Sequence, residues 1–232
     1  MTGHLTTAIT AYRRFAAHAS SADPTVDTRL AGWRVDDLVE HVTWGAAMEA
    51  DALGAALGEA PGPAPAPDLP GAVAAFADVA ARVAGANLDP ESPVALPAGT
   101  VPMAYAAPLF AFEAALHASD LAHALGEDDT LGAAELAACA VVVGPMLDLL
   151  ATGSPAEPTV IDLIGLGDPI RLSATGRAWR RSTPDSNPAT TTIRGTAHQI
   201  TLFACGRIGA DDLHVDGDPG PARRFKEFFP GP

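Results

Sequence analysis

Cysteine is nearly absent: the 232 residues hold two, Cys139 and Cys205. Two cannot build a disulfide framework. Both fall in apolar, helical-looking stretches and are expected as small buried hydrophobes in a reducing cytoplasm. Positive charge is also short, with 14 Lys and Arg against 28 Asp and Glu for a formal charge of −14. No basic cluster interrupts that balance, which argues against nucleic acid or an anionic membrane surface as a partner. The opening MTGHLTTAITAYRRF lacks the basic-then-apolar plan of a signal peptide. The longest uncharged apolar run, 136–147, falls short of the roughly 18 residues a membrane span needs and contains Gly144 and Pro145. A Gly-x-Ser-x-Gly elbow, a Cys/His nucleophile pair and phosphate-loop spacing are missing as well, so GLGD and GDPGP read as turns. No internal repeat is visible.

Hydrophobic residues make up 48% of the chain and charged ones 18%, which suits a compact protein with a sizeable core. The first two-thirds reads as helices at 5–18, 35–57, 72–86, 103–125 and 132–150, the last expected to kink at Pro145. PGPAPAPDLPG (61–71) is expected as a proline-stiffened connector that cannot be helix, and LDPESPVALPAGTVP as a loop. After about residue 151 short β-branched segments appear: TVIDLIGLG, IRLSATGRAWRRS, ATTTIRGT and, after a helix at 197–208, LHVDGD, with a terminal helix at 221–229. The expected fold class is mainly α plus α+β. An up-down four-helix bundle over 1–153 precedes a small α+β domain over 154–232, with the composition break at SPAEP (154–158) as boundary.

FEAALHASD carries Glu113 and His117 four residues apart in an apolar run, on one helical face with Leu109, Leu116 and Asp120. A buried carboxylate needs a partner or becomes neutral. A Glu–His pair would satisfy it, a solvated face would remove the need, and a metal would use both residues. In DLVEHVTWG, His41 lies on the apolar stripe of another helix. Two nitrogen or oxygen ligands at i,i+4 on one helix and a third on another make the His2Glu set of catalytic zinc sites. Asp120 is a candidate to accept the free N–H of a ligating histidine, and a plain surface aspartate is the alternative. His123 projects elsewhere, and Trp33 is expected to anchor the start of the second helix.

GWRVDDLVEHVTWG resembles the Gly-Trp-x-Val-x-Asp-Leu-x-x-His segment of the mycothiol-dependent maleylpyruvate isomerase family, within the DinB-like (YfiT-like) metal-binding four-helix bundles. AGTVPMAYAAPLFAFEAALHASDLAHALG is similar to its Glu-x-x-x-His-x-x-Asp block, and RGTAHQITLFACGRI with LHVDGD to its small C-terminal domain. The likeness runs nearly the whole chain. Arg34 departs from it, standing where the family often has a capping Ser or Thr. The resemblance implies His41, Glu113 and His117 as ligands of a divalent metal, usually zinc in the family, with mycothiol as the thiol cosubstrate. It implies a metal-activated thiolate that adds to the conjugated double bond of a small electrophile such as maleylpyruvate, allows rotation, and leaves. Arg207 is the candidate catalytic arginine for an anionic substrate, with Arg194 second. An isomerase or thiol S-transferase in the cytoplasm, monomer or homodimer, is therefore expected. The alternatives are a thiol-independent metal enzyme of natural-product biosynthesis and a non-catalytic metal- or ligand-binding protein.

Overall fold

The computed structural model describes residues 2–60, 68–86, 88–153, 155–174, 178–183 and 188–231. Most of the proline connector (61–67) and Ser154 of the composition break lie outside them. The chain divides into two compact units, Met1–Ala138 and Cys139–Pro232. That division lies inside a helix, ahead of the composition change at 154–158.

Four helices make most of the first unit: α1 (Thr2–Ala19), α2 (Val35–Ala56), α3 (Leu69–Ala86) and α4 (Met103–Ala124). Leu5, Ala8, Tyr12 and Phe15 of α1, and Val73, Phe76, Val79 and Val83 of α3, recur every three or four residues and are buried. That spacing puts each set on one face and drives the helices together. α1 packs against α4 and α3, and α2 against α3 and α4, whereas α1 and α2 meet only marginally. α4 is the central helix, buried without a break from Ala114 to Ala122. It ends in a Schellman turn. Gly126 takes φ 69° as the left-handed closing residue, its N–H donates to the His123 carbonyl at 3.0 Å, and the Glu127 N–H donates to the Ala122 carbonyl at 2.9 Å.

Two sequence expectations are corrected here. α3 starts at Leu69, within the segment read as non-helical. Pro70 falls in the first turn, where a missing N–H costs nothing, and the Asp68 carboxylate accepts from the Gly71 N–H at 2.9 Å. The supposed loop before α4 contains an antiparallel hairpin, β1 (Pro93–Leu96) and β2 (Gly99–Pro102). Pro93 pairs with Pro102 at its open end, where neither ring interrupts an interior rung, and Val94 is buried.

The second unit begins within α5 (Ala133–Leu150) and continues as β3 (Thr159–Ile164), β4 (Ile170–Ala174), β5 (Trp179–Ser182), β6 (Thr191–Arg194), α6 (Ala197–Ala204), a 3₁₀ turn (Ala210–Asp212), β7 (His214–Gly217), α7 (Pro219–Arg223) and α8 (Phe225–Phe228). The five strands form one sheet in the order β5-β4-β3-β6-β7. β3 and β6 run parallel and the other neighbours antiparallel. Trp179 packs on Phe228 and Phe229, with ring centroids 5.2 and 5.0 Å away. α6 is shorter than expected because Gly206, at φ 75°, closes it in a second Schellman turn. The terminal helix is two short ones, separated at Arg224. α3 and α5 are long and apolar enough to cross a membrane by length and composition. The uncharged-run criterion missed them because Asp78, Arg82, Glu135 and Asp148 interrupt the sequence. Cys139 and Cys205 are both buried.

One polar pair sits in the helical core. The Tyr12 hydroxyl donates to Glu49 Oε2 at 2.8 Å, joining α1 to α2. Burial pushes the Glu49 carboxyl well above its ordinary 4.5; the Tyr12 hydrogen bond pulls it down and the Glu113 charge adds to the rise. A carboxyl raised by folding holds its proton more tightly when folded, so this group's contribution to stability is full below 4.5 and is lost as pH climbs past it. Glu49→Gln removes that titration. Thermal melts at increasing pH above 4.5 should show the wild type losing stability and the variant losing less; parallel curves would contradict the assignment.

Candidate metal centre

The approach to α2 is a tight loop. The Trp33 N–H donates to the Leu30 carbonyl at 3.0 Å across a turn whose third residue, Gly32, has φ 81°. The Thr28 N–H and hydroxyl both reach the Trp33 carbonyl, each at 2.9 Å. Arg34 cannot cap with its own side chain. Instead the Asp37 carboxylate accepts from the Arg34 N–H at 2.9 Å, and Asp36 and Asp37 place negative charge at the helix's positive end. The helix therefore starts at Val35, as expected.

That start sets Trp33 edge-on against His41, with ring centroids 5.1 Å apart at 70°. On its other side His41 meets His117 of α4, with centroids 4.9 Å apart at 78°. Glu113 and His117 lie one turn apart on α4, and Glu113 Oε2 is 3.5 Å from His117 Nε2. One ligand-type atom from each of His41, Glu113 and His117 lies within 4.8 Å of the others. The three residues picked out in the sequence are therefore together. Their burial is uneven: His117 is 4% exposed, whereas the Glu113 side chain retains 30%, so the carboxylate expected to be buried faces partly outward.

His117 is tightly fixed on one side only. Its Nδ1 lies 3.1 Å from Asp120 Oδ2. An ionised carboxylate only accepts, so Nδ1 carries the proton and donates it. Nε2 is buried and makes no hydrogen bond. Burial alone would push the imidazole down; the hydrogen bond to Asp120 and the Glu113 carboxylate outweigh it and hold the group above its ordinary value. Asp120 is fully buried, which rules out the surface-aspartate alternative.

Arg29, from the loop before α2, is the neighbour that sequence reasoning missed. Its Nε donates to Asp120 Oδ1 at 2.7 Å, one terminal nitrogen to Asp129 Oδ2 at 2.9 Å, and the other to the Ser119 hydroxyl at 2.7 Å. These partners lie 91, 100 and 90 residues away, so no local spacing could announce them. His123 is largely exposed, with Nδ1 3.0 Å from Asp129 Oδ2. Arg207 belongs to the second unit, where it is buried and donates to the Cys205 carbonyl at 2.8 Å. Arg194 lies there too, half-exposed on β6, and donates to Asp216 at 3.1 Å.

A cavity of about 490 Å³ opens at His41 and is lined by Gly32, Trp33, Asp37, Glu40, His41 and Trp44. Trp44 is 56% exposed and also lines a neighbouring groove of about 520 Å³ along α2, which reaches Ala95–Pro97 of the hairpin region. Two imidazoles and a carboxylate, converging beside a buried, unpartnered nitrogen, fit a divalent ion. With bonds of about 2 Å, one ion needs donors at most about 4 Å apart.

A helical bundle with a small α+β unit, presenting such a donor set from facing helices, is a DinB-like architecture. The chain belongs to the family described as the mycothiol maleylpyruvate isomerase N-terminal domain, whose model matches residues 5–122. Two solved structures share its fold: the mycothiol-dependent maleylpyruvate isomerase at TM-score 0.57 and a histidine-to-alanine mutant of it at 0.59. Each is 18% identical, over 92% of this chain and 91% of that one. No curated protein matches the sequence.

Asp120→Ala would leave the Arg29 guanidinium buried without its main counter-charge. Denaturant unfolding of the metal-free protein should show a loss of about 3–5 kcal/mol. A loss under about 1 kcal/mol, the worth of an exposed pair, would mean that the network is not buried in solution.

Proposed function

We propose that this chain is a divalent-metal-dependent enzyme using mycothiol, an isomerase or thiol S-transferase for a small electrophile such as maleylpyruvate, and that the ion is zinc. The observation that carries the reading is the convergence of His41, Glu113 and His117 around an orphaned Nε2, in a chain of this family. The solved structures of like fold are of a mycothiol-dependent maleylpyruvate isomerase, which supports the thiol and the substrate class. A bound divalent ion supplies a Lewis acid that lowers the pKa of a thiol sharing its coordination sphere.

The protein's own residues do the rest. Asp120 holds the proton on His117 Nδ1 and so turns the lone pair of Nε2 toward the gap. Trp33 fixes the His41 ring from the side. Glu113, partly exposed, brings negative charge beside His117 and has room to adjust. Trp44 offers a flat apolar surface beside His41, with centroids 6.4 Å apart, where a ligand can lie. A cytoplasmic setting fits the two buried cysteines. Arg207 remains our candidate for a substrate carboxylate.

One feature favours thiol transfer to a neutral electrophile over isomerisation of a dicarboxylate. The cavity at His41 is lined by the acids Asp37 and Glu40 and, among the described residues, by no Lys or Arg. Parallel assays with maleylpyruvate and a neutral aromatic electrophile separate the two, since the preferred acceptor gives the higher kcat/KM.

Metal analysis of purified protein should find about one divalent ion per chain, lost in His41→Ala; unchanged content in that variant would sink the metal assignment. Calorimetric titration of mycothiol into the metal-loaded protein should give saturable binding that disappears once the ion is chelated. Absence of binding would remove the thiol and leave the thiol-independent enzyme.

A further inference from the structure

We infer that the groove along α2 is a second subsite of this centre, which takes the ring and apolar tail of an elongated, uncharged electrophile. The inference rests on reading His41, Glu113 and His117 as the reacting end. It adds the part of the acceptor that lies away from them.

The groove continues the cavity at His41. Trp44 lines both, and its ring centroid is 6.4 Å from that of His41. Beyond Trp44 the floor is one stripe of α2: Ala47, Met48, Asp51, Ala52 and Ala55 lie three, four, seven, eight and eleven residues further on. That spacing keeps them on one face for about 16 Å of helix. Ala95–Pro97, at the turn end of the hairpin, supplies the other wall, and β1 packs on α2. The volume of about 520 Å³ is within the range of small-molecule sites.

The lining selects the occupant. Trp44 keeps 56% of its surface exposed, whereas Trp179 is buried and Trp33 half-buried. An indole left open beside a donor set is a stacking platform for a flat ring. Three alanines keep the floor low, so a chain can lie along it and bury its methylenes. Among the described residues, Asp51 is the one ionisable side chain of the groove, and neither it nor the His41 cavity is lined by Lys or Arg. A carboxylate on the tail would meet only like charge. A hydroxyl-rich cosubstrate is also a poor match, because alanine and methionine offer no partners for its hydrogen-bonding groups. The groove therefore belongs to the acceptor and not to the thiol.

The test uses the full chain and benzylacetone, a saturated ketone that cannot add a thiol across a double bond, with homologues bearing para-alkyl tails up to hexyl. In metal-free protein, an NMR titration read at the Trp44 indole N–H should show affinity rising about two- to fourfold per added methylene until the groove is full. A tail of the same length ending in a carboxylate should bind about fivefold more weakly or worse, and Asp51→Lys should remove or reverse that preference. Ala55→Phe should level the series, so that long tails bind no better than short ones. Asp51 and Ala55 are both exposed, so both variants are expected to fold.

Metal-loaded protein is then assayed with mycothiol and the matching benzylideneacetones. The thiol adds across the double bond, sulfur to the carbon bearing the ring and hydrogen to its neighbour. The kcat/KM for the ketone should follow tail length, and Ala55→Phe should cancel that dependence. Affinity indifferent to tail length, or unaltered by Ala55→Phe, overturns the proposal. So does a rise in the KM for mycothiol with that for the ketone unmoved. Absence of turnover or of metal binding in the wild type would defeat the metal and thiol reading alone; the metal-free titrations would still decide whether the groove takes its ligand.

Discussion

Asp120 is an ionisable group with no access to water, and the arrangement around the candidate centre follows from satisfying it. An unpaired carboxylate there would cost several kcal/mol or lose its charge. The chain answers with Arg29 on one oxygen and His117 on the other. Arg29 can arrive only if the loop before α2 folds back, which the Gly32 turn and the Thr28–Trp33 hydrogen bonds accomplish. The same loop delivers Trp33 to the side of His41. The first turn of α2, the loop before it and the end of α4 are thus solved together.

Rigidity and freedom are unevenly shared among the three converging side chains. His117 is buried and hydrogen-bonded at Nδ1, and His41 is wedged between two aromatic rings and the His117 imidazole. Glu113 is the loosest, with almost a third of its side chain exposed. Any ion held there would meet two constrained side chains and one adjustable one.

The bundle was legible because its signals are local. Leu5, Ala8, Tyr12 and Phe15, like Phe76, Val79 and Val83, declare their faces by spacing alone, and Glu113 and His117 share a face by the same arithmetic. His41 was reachable as an ionisable residue on an apolar stripe. What stayed hidden depends on distance along the chain or on tolerance of an unfavourable residue. Arg29 meets Asp120 across 91 residues and Tyr12 meets Glu49 across 37, beyond any periodicity. The hairpin at Pro93–Pro102 and the start of α3 at Leu69 were obscured by prolines that occupy the few positions where a missing N–H does no harm. The terminal helix breaks at Arg224, and nothing in the pattern of Phe225, Phe228 and Phe229 marks that break.

The acidic mouth at Asp37 and Glu40 has a kinetic meaning as well. Negative groups around a concave opening, on a chain of formal charge −14, concentrate cations from solution and thin out anions. Divalent ions are drawn in, and ionic strength slows their arrival. A thiolate would meet the same repulsion as any other anion, and a neutral thiol would not.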